Sequence, residues 1–243
     1  FVFVENHRVV GLDAADPIRI LSHDEVVRRG LRDWGWGISE RADQAHAPRP
    51  VERIDLILAE RACRFIERES DAPFFLYLPF LAPHVPIAPA AEFRGTSQAA
   101  RYGDYVQQLD ACVGKVLDAL RMQGLVDNTL VVFTSDNGAV LHRDALEAGH
   151  RANGKFLGQK TDAWEGGHRV PFIARWPGEI PAGTSSGQLL NHVDLLATLA
   201  TLIGRELREG EGIDGISQLQ SLTGEPSGLV RDMMVIMPNS PKH

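Results

Sequence analysis

Two side chains able to bind a metal ion stand at the end of an apolar segment near the middle of the chain. Residues 130–134 are all apolar or β-branched, and Ser135, Asp136, Asn137 and Gly138 follow them. A carboxylate and a carboxamide supply the hard oxygens that Ca²⁺ or Mg²⁺ prefers. A divalent-metal site is therefore one interpretation, but these four residues by themselves are more typical of a turn in which Asp and Asn bond their own backbone. Gly138 is expected to let the chain turn away from the strand.

A long polar and glycine-rich segment, residues 139–167, follows this point and is interrupted at most by a short helix near 139–148. Segments of this length inside compact domains are usually functional or disordered. Basic side chains are concentrated in and just after the segment: His142, His150, Arg151, Lys155, Lys160, His168 and Arg169. Because an anionic substrate of an acidic protein needs a local basic pocket, this segment is the favoured place for one.

The elements that must position these residues alternate between strands and helices. We predict strands at 1–5, 74–78, 130–134 and 170–176, and helices at 51–70, 98–123 and 191–203. The helical segments repeat apolar residues with helical spacing, and the strand at 130–134 is continuously apolar, as in a parallel sheet buried on both faces. This order predicts an α/β fold with right-handed βαβ crossovers, in which ligands bind at the carboxyl ends of the strands.

Two stretches of the chain are less informative. Residues 6–50 are predicted to form a long surface segment, in which Trp34 and Trp36 either hold the segment on the core or form a binding platform. Residues 204–243 are polar and weakly patterned, and no element is predicted there.

The composition excludes several classes of protein. The chain has 243 residues, of which 44% are hydrophobic, and a net charge of −7 without long charged runs. One α/β domain fits this length, and the footprint of a nucleic-acid-binding protein is missing. No apolar run reaches the ~18 residues that a membrane span requires, and the first residues do not resemble a signal peptide. Cys63 and Cys112 fall within predicted helices, which favours buried free thiols over a disulfide.

Several short motifs together resemble the type I sulfatases of the alkaline phosphatase superfamily. They are Ser-Asp-Asn-Gly at 135–138, Gly-Gln-Lys at 158–160, Trp-Glu-Gly-Gly-His-Arg-Val-Pro at 164–171, Trp-Pro-Gly at 176–178 and Ala-Pro-His-Val-Pro at 82–86. The resemblance covers most of the chain and implies an alkaline phosphatase-like α/β fold, with a mostly parallel sheet flanked by helices. It also implies that residues 1–243 are the middle portion of a catalytic domain, incomplete at both ends.

The resemblance assigns roles to individual residues. Asp136 and Asn137 match two ligands of a Ca²⁺ ion that holds the sulfate group, and Lys160 matches a lysine that contacts the sulfate. His84 matches a histidine near the scissile oxygen, where an imidazole could donate a proton to the leaving alcohol. His150 could line the same pocket or be structural, and these alternatives are evenly balanced.

The same resemblance implies supporting roles for other residues in the 164–171 motif. Glu165 and Arg169 are expected to form an ion pair that shapes the loop presenting Lys160. Gly166 and Gly167 are expected to permit the turn of that loop.

The chain departs from the family pattern at the nucleophile. Type I sulfatases generate a formylglycine from the Cys or Ser of a Cys/Ser-x-Pro-x-Arg motif, which is absent from this sequence. The resemblance therefore implies a Ca²⁺-dependent sulfatase of sulfated small molecules or glycans, periplasmic or secreted, of which this chain alone is expected to show no turnover. A phosphodiesterase or phosphonate hydrolase of the same superfamily, and a non-catalytic sulfate-binding module, are the alternatives.

Overall fold

The long helices of the chain lie where apolar residues recur with helical spacing. The computed structural model describes residues 4–6, 8–9, 51–224 and 228–238. The helices are α1 (Ile54–Arg68), α2 (Ala100–Met122), α3 (Arg143–Glu147), α4 (Glu165–His168), α5 (Asp194–Leu202) and α6 (Leu219–Thr223). The strands are β1 (Val4–Glu5), β2 (Arg8–Val9), β3 (Val131–Thr134) and β4 (Phe172–Arg175), and 3₁₀ turns cover Val51–Arg53, Ala91–Phe93 and Val126–Asn128. Trp34 and Trp36 lie outside the described residues, so the prediction about them is not addressed.

The predicted helices at 51–70, 98–123 and 191–203 are confirmed as α1, α2 and α5. Helix α2 is followed by a glycine with left-handed backbone. Gly124 has a φ of 68°, and the next N–H, of Leu125, donates to the Leu120 carbonyl at 2.9 Å. A residue without a Cβ adopts this conformation at little cost, which is why glycine commonly follows a helix. No helix in the described part of the chain is long and apolar enough to cross a bilayer.

The main core lies between α1 and α2. Leu56 and Ala59 of α1 pack with Cys112 of α2, and further along the pair Ile66 packs with Leu120. Removing a Leu or Ile side chain from water contributes roughly 1.5 to 3 kcal/mol, so this helix pair is the base on which the neighbouring segments rest. Both cysteines are free, as predicted, but only Cys112 is buried and Cys63 is half-buried. Burial together with the negative charge of Asp55 raises the pKa of Cys112 to about 11.

The pairing of strand β3 differs from the prediction. The predicted strands at 130–134 and 170–176 are confirmed as β3 and β4, but they pair antiparallel, with Val131 opposite Arg175 and Thr134 opposite Phe172. All four residues of β3 are half-buried rather than fully buried. Within the described residues no parallel pair is present. An apolar run reports burial and not the identity of the neighbouring strand, so the sequence could not distinguish the two kinds of pairing.

The strand predicted at 74–78 is wrong within the described residues, because the segment is extended but belongs to no sheet there. Phe74 and Leu76 pack against the cluster around Ile66, whereas Phe75 and Tyr77 are 73% and 77% exposed. The side chains therefore alternate as in a strand, with one face on the helices. The apolar pattern reflects this packing and does not require a paired backbone.

Candidate functional site

The carboxyl end of β3 carries the predicted metal-binding residues. Asp136 is exposed and Asn137 is half-buried, and neither side chain forms a hydrogen bond or ion pair with another described residue. The Ser135 hydroxyl donates to the Asn137 carbonyl at 3.1 Å and closes the bend. The carboxylate and the amide oxygen are therefore both available to a ligand. Just before them, the Thr134 hydroxyl lies 2.9 Å from Nε2 of His192.

Gly138 is needed for a close approach between two backbone segments. Its N–H donates to the Gly167 carbonyl at 2.9 Å, and a Cβ at position 138 would lie 1.9 Å from the Gly166 carbonyl oxygen. Gly138 is not among the glycines with positive φ. The chain does bend at Asp136 and Asn137, just before this glycine. Position 138 excludes a side chain by contact and does not require a left-handed backbone.

The loop that carries Lys160 is bonded directly to the end of β3. The Lys160 N–H donates to the Ala139 carbonyl at 3.2 Å, three residues after Asp136. Asn153 braces the same point: its Oδ1 accepts from the Ala139 N–H at 3.0 Å, and its Nδ2 donates to the carbonyls of Ala139 at 3.0 Å and Gly158 at 3.1 Å. Lys160 is half-buried and forms no ion pair within the described residues, so its charge is uncompensated there.

The ion pair predicted within the 164–171 motif is confirmed. Arg169 Nη1 donates to Glu165 Oε2 at 2.7 Å across one turn of α4, and the guanidinium lies 4.8 Å from the centre of the Phe156 ring. The hydrogen bond from Arg169 lowers the pKa of Glu165. The pair is exposed, so we assign it to the shape of the loop rather than to its stability.

The two glycines of the motif lie inside α4 and not in a turn with left-handed backbone. A Cβ on Gly166 would be 2.3 Å from the Gly158 carbonyl oxygen, and one on Gly167 would be 2.1 Å from the Asp162 carbonyl oxygen. Neither glycine has positive φ. As at position 138, the glycines permit backbones to touch, and the reason inferred from the sequence is wrong.

His84 lies on a separate segment. It is exposed, its N–H donates to the Leu81 carbonyl at 2.8 Å, and its Nδ1 lies 2.8 Å from the Val85 carbonyl oxygen. A carbonyl oxygen can only accept a hydrogen bond, so Nδ1 carries the proton and Nε2 is the free position of the neutral ring.

His150 is stacked against an aromatic side chain. Tyr102 of α2 is 7% exposed, and its ring centre lies 5.8 Å from that of His150 and 5.2 Å from that of His142. Burial raises the pKa of Tyr102. The contact holds the segment around α3 against α2, and the sequence carries no local signal for it because the partners are 40 and 48 residues apart.

Backbone hydrogen bonds link some of the predicted site residues and not others. Asp136, Asn137 and Lys160 share one hydrogen-bonded backbone unit. In the described part of the chain, no hydrogen bond or ion pair connects His84 or His150 to that unit. Among the same residues, no group of three or more His, Cys, Asp or Glu side chains is arranged to hold a metal ion. Asp136 and Asn137 therefore supply two oxygen ligands of the kind Ca²⁺ takes, short of the usual six to eight.

Asp194, in the first turn of α5, is bonded to backbone on both sides of the helix. The helix itself has no side-chain cap. The Asp194 carboxylate accepts from the N–H groups of Asn191 and Ile216, each at 2.9 Å, and from Arg231. These bonds connect the start of α5 to the residues that follow the helix.

Comparison with known proteins agrees with the motifs. The sequence matches the model of the Sulfatase family over residues 24–205. It is 36% identical over 196 residues to arylsulfatase D of Homo sapiens, a match that covers 80% of this chain and 33% of that protein. It is 33% identical over 254 aligned positions to an N-acetylgalactosamine-6-O-sulfatase of Bacteroides thetaiotaomicron, covering 92% of this chain and 49% of the relative. The chain thus spans between a third and a half of the length of these relatives.

Solved structures show the same fold. A sulfatase described in work on glycosaminoglycan metabolism by Bacteroides thetaiotaomicron superposes with a TM-score of 0.82 at 32% identity, covering 94% of this chain and 53% of that structure. A second structure, named CgsB and solved with a neocarrahexaose, has a TM-score of 0.65 at 28% identity and covers 83% of this chain and 45% of its own. The predicted alkaline phosphatase-like α/β class is confirmed by these neighbours, of which this chain covers about half.

Proposed function

This chain belongs to the sulfatase family, and from that premise we propose that it supplies the cation-binding and sulfate-binding part of an active site that hydrolyses sulfate esters. The observation that carries the proposal is the hydrogen bond between the Lys160 N–H and the Ala139 carbonyl. This bond keeps a lysine on the loop next to the strand end that carries Asp136 and Asn137. A cationic side chain beside two oxygen ligands suits a tetrahedral anion held next to a divalent cation.

Asp136 and Asn137 are the residues that would hold Ca²⁺. Both side chains are free of protein partners within the described residues, and their donor atoms are hard oxygens. A bound dication would offset negative charge on the sulfate oxygens. Because Ca²⁺ takes about six to eight oxygens, further ligands must come from outside the residues described here.

Lys160 and His84 would act on the substrate itself. The ammonium group of Lys160 would bind a sulfate oxygen and stabilise the charge that develops there. In His84, the bond from Nδ1 to the Val85 carbonyl leaves Nε2 as the position that exchanges a proton. The protonated ring would therefore donate the Nε2 proton to the leaving oxygen of the ester.

The substrate class follows from the relatives by analogy. One relative is named as an N-acetylgalactosamine-6-O-sulfatase, and one structural neighbour was solved with a neocarrahexaose. A sulfated sugar is therefore the substrate that we propose. The nucleophile would be provided by residues outside this sequence, which has no Cys/Ser-x-Pro-x-Arg segment.

The proposal is tested by titrating the 243-residue chain with inorganic sulfate, with and without Ca²⁺, and monitoring binding by NMR. We expect weak binding of inorganic sulfate that Ca²⁺ strengthens, with shifts at the amides of Asn137 and Lys160. Lys160→Ala should weaken sulfate binding by about 10- to 150-fold, since a hydrogen bond to a charged group contributes about 1.5 to 3 kcal/mol. Asp136→Ala should abolish the effect of Ca²⁺.

Two control variants remove the same charges, one positive and one negative, at positions outside the proposed site. Lys155→Ala removes an exposed lysine of the same loop, and Asp127→Ala removes an exposed carboxylate near the opposite end of β3. Both should bind sulfate and Ca²⁺ like the unmodified chain. If Ca²⁺ does not change the affinity for sulfate, or if the test and control variants lose the same affinity, these residues do not form a common site.

A further inference from the structure

The segment that presents His84 is irregular but firmly anchored. Asp55, in the first turn of α1, is completely buried. Its Oδ1 accepts from the Leu81 N–H at 2.7 Å and its Oδ2 from the Ala82 N–H at 3.0 Å. Both oxygens of a buried carboxylate are thus committed to the backbone immediately before His84.

These two N–H groups are what compensates the burial of the carboxylate. A charged carboxylate removed from water is strongly unfavourable unless it is paired or hydrogen-bonded. Within the described residues Asp55 has no cationic partner, and its only hydrogen bonds are those from Leu81 and Ala82. The interaction is therefore costly to break, because the buried Asp55 carboxylate and the N–H of the buried Ala82 would be left without partners.

The anchored residues form the start of a turn that ends at His84. The His84 N–H donates to the Leu81 carbonyl at 2.8 Å, which closes residues 81–84 into a turn. The His84 ring is then fixed by its Nδ1 bond to the Val85 carbonyl. A displacement of Leu81 and Ala82 would move the turn and with it the imidazole.

We infer that Asp55 is a positioning residue for His84: it holds the backbone of residues 81 and 82 so that the imidazole keeps its Nδ1 proton and presents Nε2 outward. Asp55 contacts no substrate and acts only through the turn. The importance of this role for catalysis rests on the proposed function of His84, but the structural effect on the ring does not.

The test compares two buried aspartates that perform the same kind of anchoring. Asp104 of α2 is 5% exposed and accepts from the N–H groups of Gly95 at 2.8 Å and Ser97 at 2.9 Å. Asp55→Asn and Asp104→Asn each place an NH₂ group against a backbone donor, so the two variants suffer matched losses. Only the first loss adjoins the turn of His84.

The measurement is the ¹⁵N spectrum of the histidine-labelled 243-residue chain, which distinguishes a ring protonated at Nδ1 from one protonated at Nε2. We expect the unmodified chain and Asp104→Asn to show His84 in the Nδ1-protonated form. Asp55→Asn should show a mixture of the two forms. An unchanged His84 signal in Asp55→Asn, or the same change in both variants, would overturn the inference.

A second measurement requires no variant and covers the case in which Asp55→Asn does not fold. In the unmodified chain the amides of Leu81 and Ala82, which donate to Asp55, should exchange with solvent at least about tenfold more slowly than the amides of Phe75 and Tyr77. The latter two amides have no hydrogen-bond partner in the described residues. Rapid exchange at Leu81 and Ala82 would contradict the anchoring. Because neither measurement uses sulfate or Ca²⁺, failure of the proposed function and failure of this inference give different results.

Discussion

At the scale of single residues, Gly138 determines how closely β3 approaches the Lys160 loop. A Cβ at this position would lie 1.9 Å from the Gly166 carbonyl oxygen and 2.9 Å from the Gly167 carbonyl carbon. Both contacts are with backbone atoms, which cannot rotate away as a side chain can. Gly138→Ala must therefore either push α4 from the strand end or strain the bend after Asn137.

We predict that Gly138→Ala lowers the free energy of unfolding by roughly 1 to 3 kcal/mol, the usual effect of overpacking a well-packed site. Urea denaturation of the purified chain, followed by circular dichroism, provides the measurement. Gly114→Ala is the control, because a Cβ at this position in α2 would meet no atom within 4 Å. In a helix interior that change should instead stabilise by about 0.5 to 1 kcal/mol. Equal effects at the two positions would disprove the close-approach explanation.

The residue scale also separates what could be predicted from what could not. Asp136 and Asn137 stand out by type and by their place after the apolar segment. Lys160 and the ion pair of Glu165 and Arg169 were implied by the family resemblance. Asp55 and Asn153 were missed. Their partners are backbone groups 26 and 14 residues away, and such bonds leave no pattern in the sequence around either residue.

At the scale of elements, Asn153 connects the two ends of the loop that contains Lys160. Its side chain accepts a hydrogen bond from the Ala139 N–H and donates hydrogen bonds to the carbonyls of Ala139 and Gly158. The loop between β3 and β4 is long and has little regular structure besides α3 and α4. The position of Lys160 therefore depends on this one amide more than on local secondary structure.

We predict that Asn153→Asp loosens the loop while the strand pair stays intact. The carboxylate keeps an acceptor for the Ala139 N–H, but it places an oxygen against two carbonyl oxygens where the amide donated. Hydrogen exchange at the Lys160 amide should become at least about tenfold faster, as measured by NMR or mass spectrometry. Asn128→Asp is the matched control, since Asn128 is exposed and its side chain has no hydrogen bond in the described residues. Unchanged exchange at Lys160 in Asn153→Asp would show that other contacts position the loop.

Helices and strands differ in how far the sequence could specify them. Helices α1, α2 and α5 form from local periodicity, because the contacts that define a helix lie within one or two turns. The partner of β3 is β4, some 40 residues later, and the extended segment at 74–78 has the alternation of a strand without a pair. Pairing is set by long-range contacts, so an apolar run predicts only that a segment is buried.

At the scale of the whole molecule, Arg231 attaches residues 228–238 to α5. Its guanidinium donates to both oxygens of Asp194, with Nε at 3.1 Å from Oδ2, and to the Asp214 carbonyl at 2.7 Å. The two side chains are only 11% and 1% exposed. Because residues 204–243 lack hydrophobic periodicity, nothing in the sequence indicated this attachment.

The ion pair also determines how stability depends on pH. Burial alone raises the pKa of Asp194, but the hydrogen bonds from Arg231 and from the N–H groups of Ile216 and Asn191 outweigh it and hold the pKa below its ordinary value of 3.8. A carboxyl group with a lowered pKa in the folded state stabilises the fold above its ordinary pKa. That contribution is lost as the pH falls through the folded-state value, when Asp194 takes up a proton.

We therefore predict that Arg231→Met lowers the free energy of unfolding by about 3 kcal/mol at pH 7, because it leaves the Asp194 carboxylate buried without its cation. The difference from the unmodified chain should shrink as the pH falls, because the buried carboxyl group of the variant, without its cation, takes up a proton at a higher pH than Asp194 of the unmodified chain, whose pKa lies below 3.8. Urea denaturation at pH 7, 5 and 3 provides the three comparisons. Arg143→Met, which breaks the exposed pair of Arg143 and Glu147, should change stability by less than about 1 kcal/mol. If Arg231→Met lowers the free energy of unfolding as little as this control does, or if its effect does not shrink in acid, then contacts other than the ion pair of Arg231 and Asp194 hold residues 228–238 against α5.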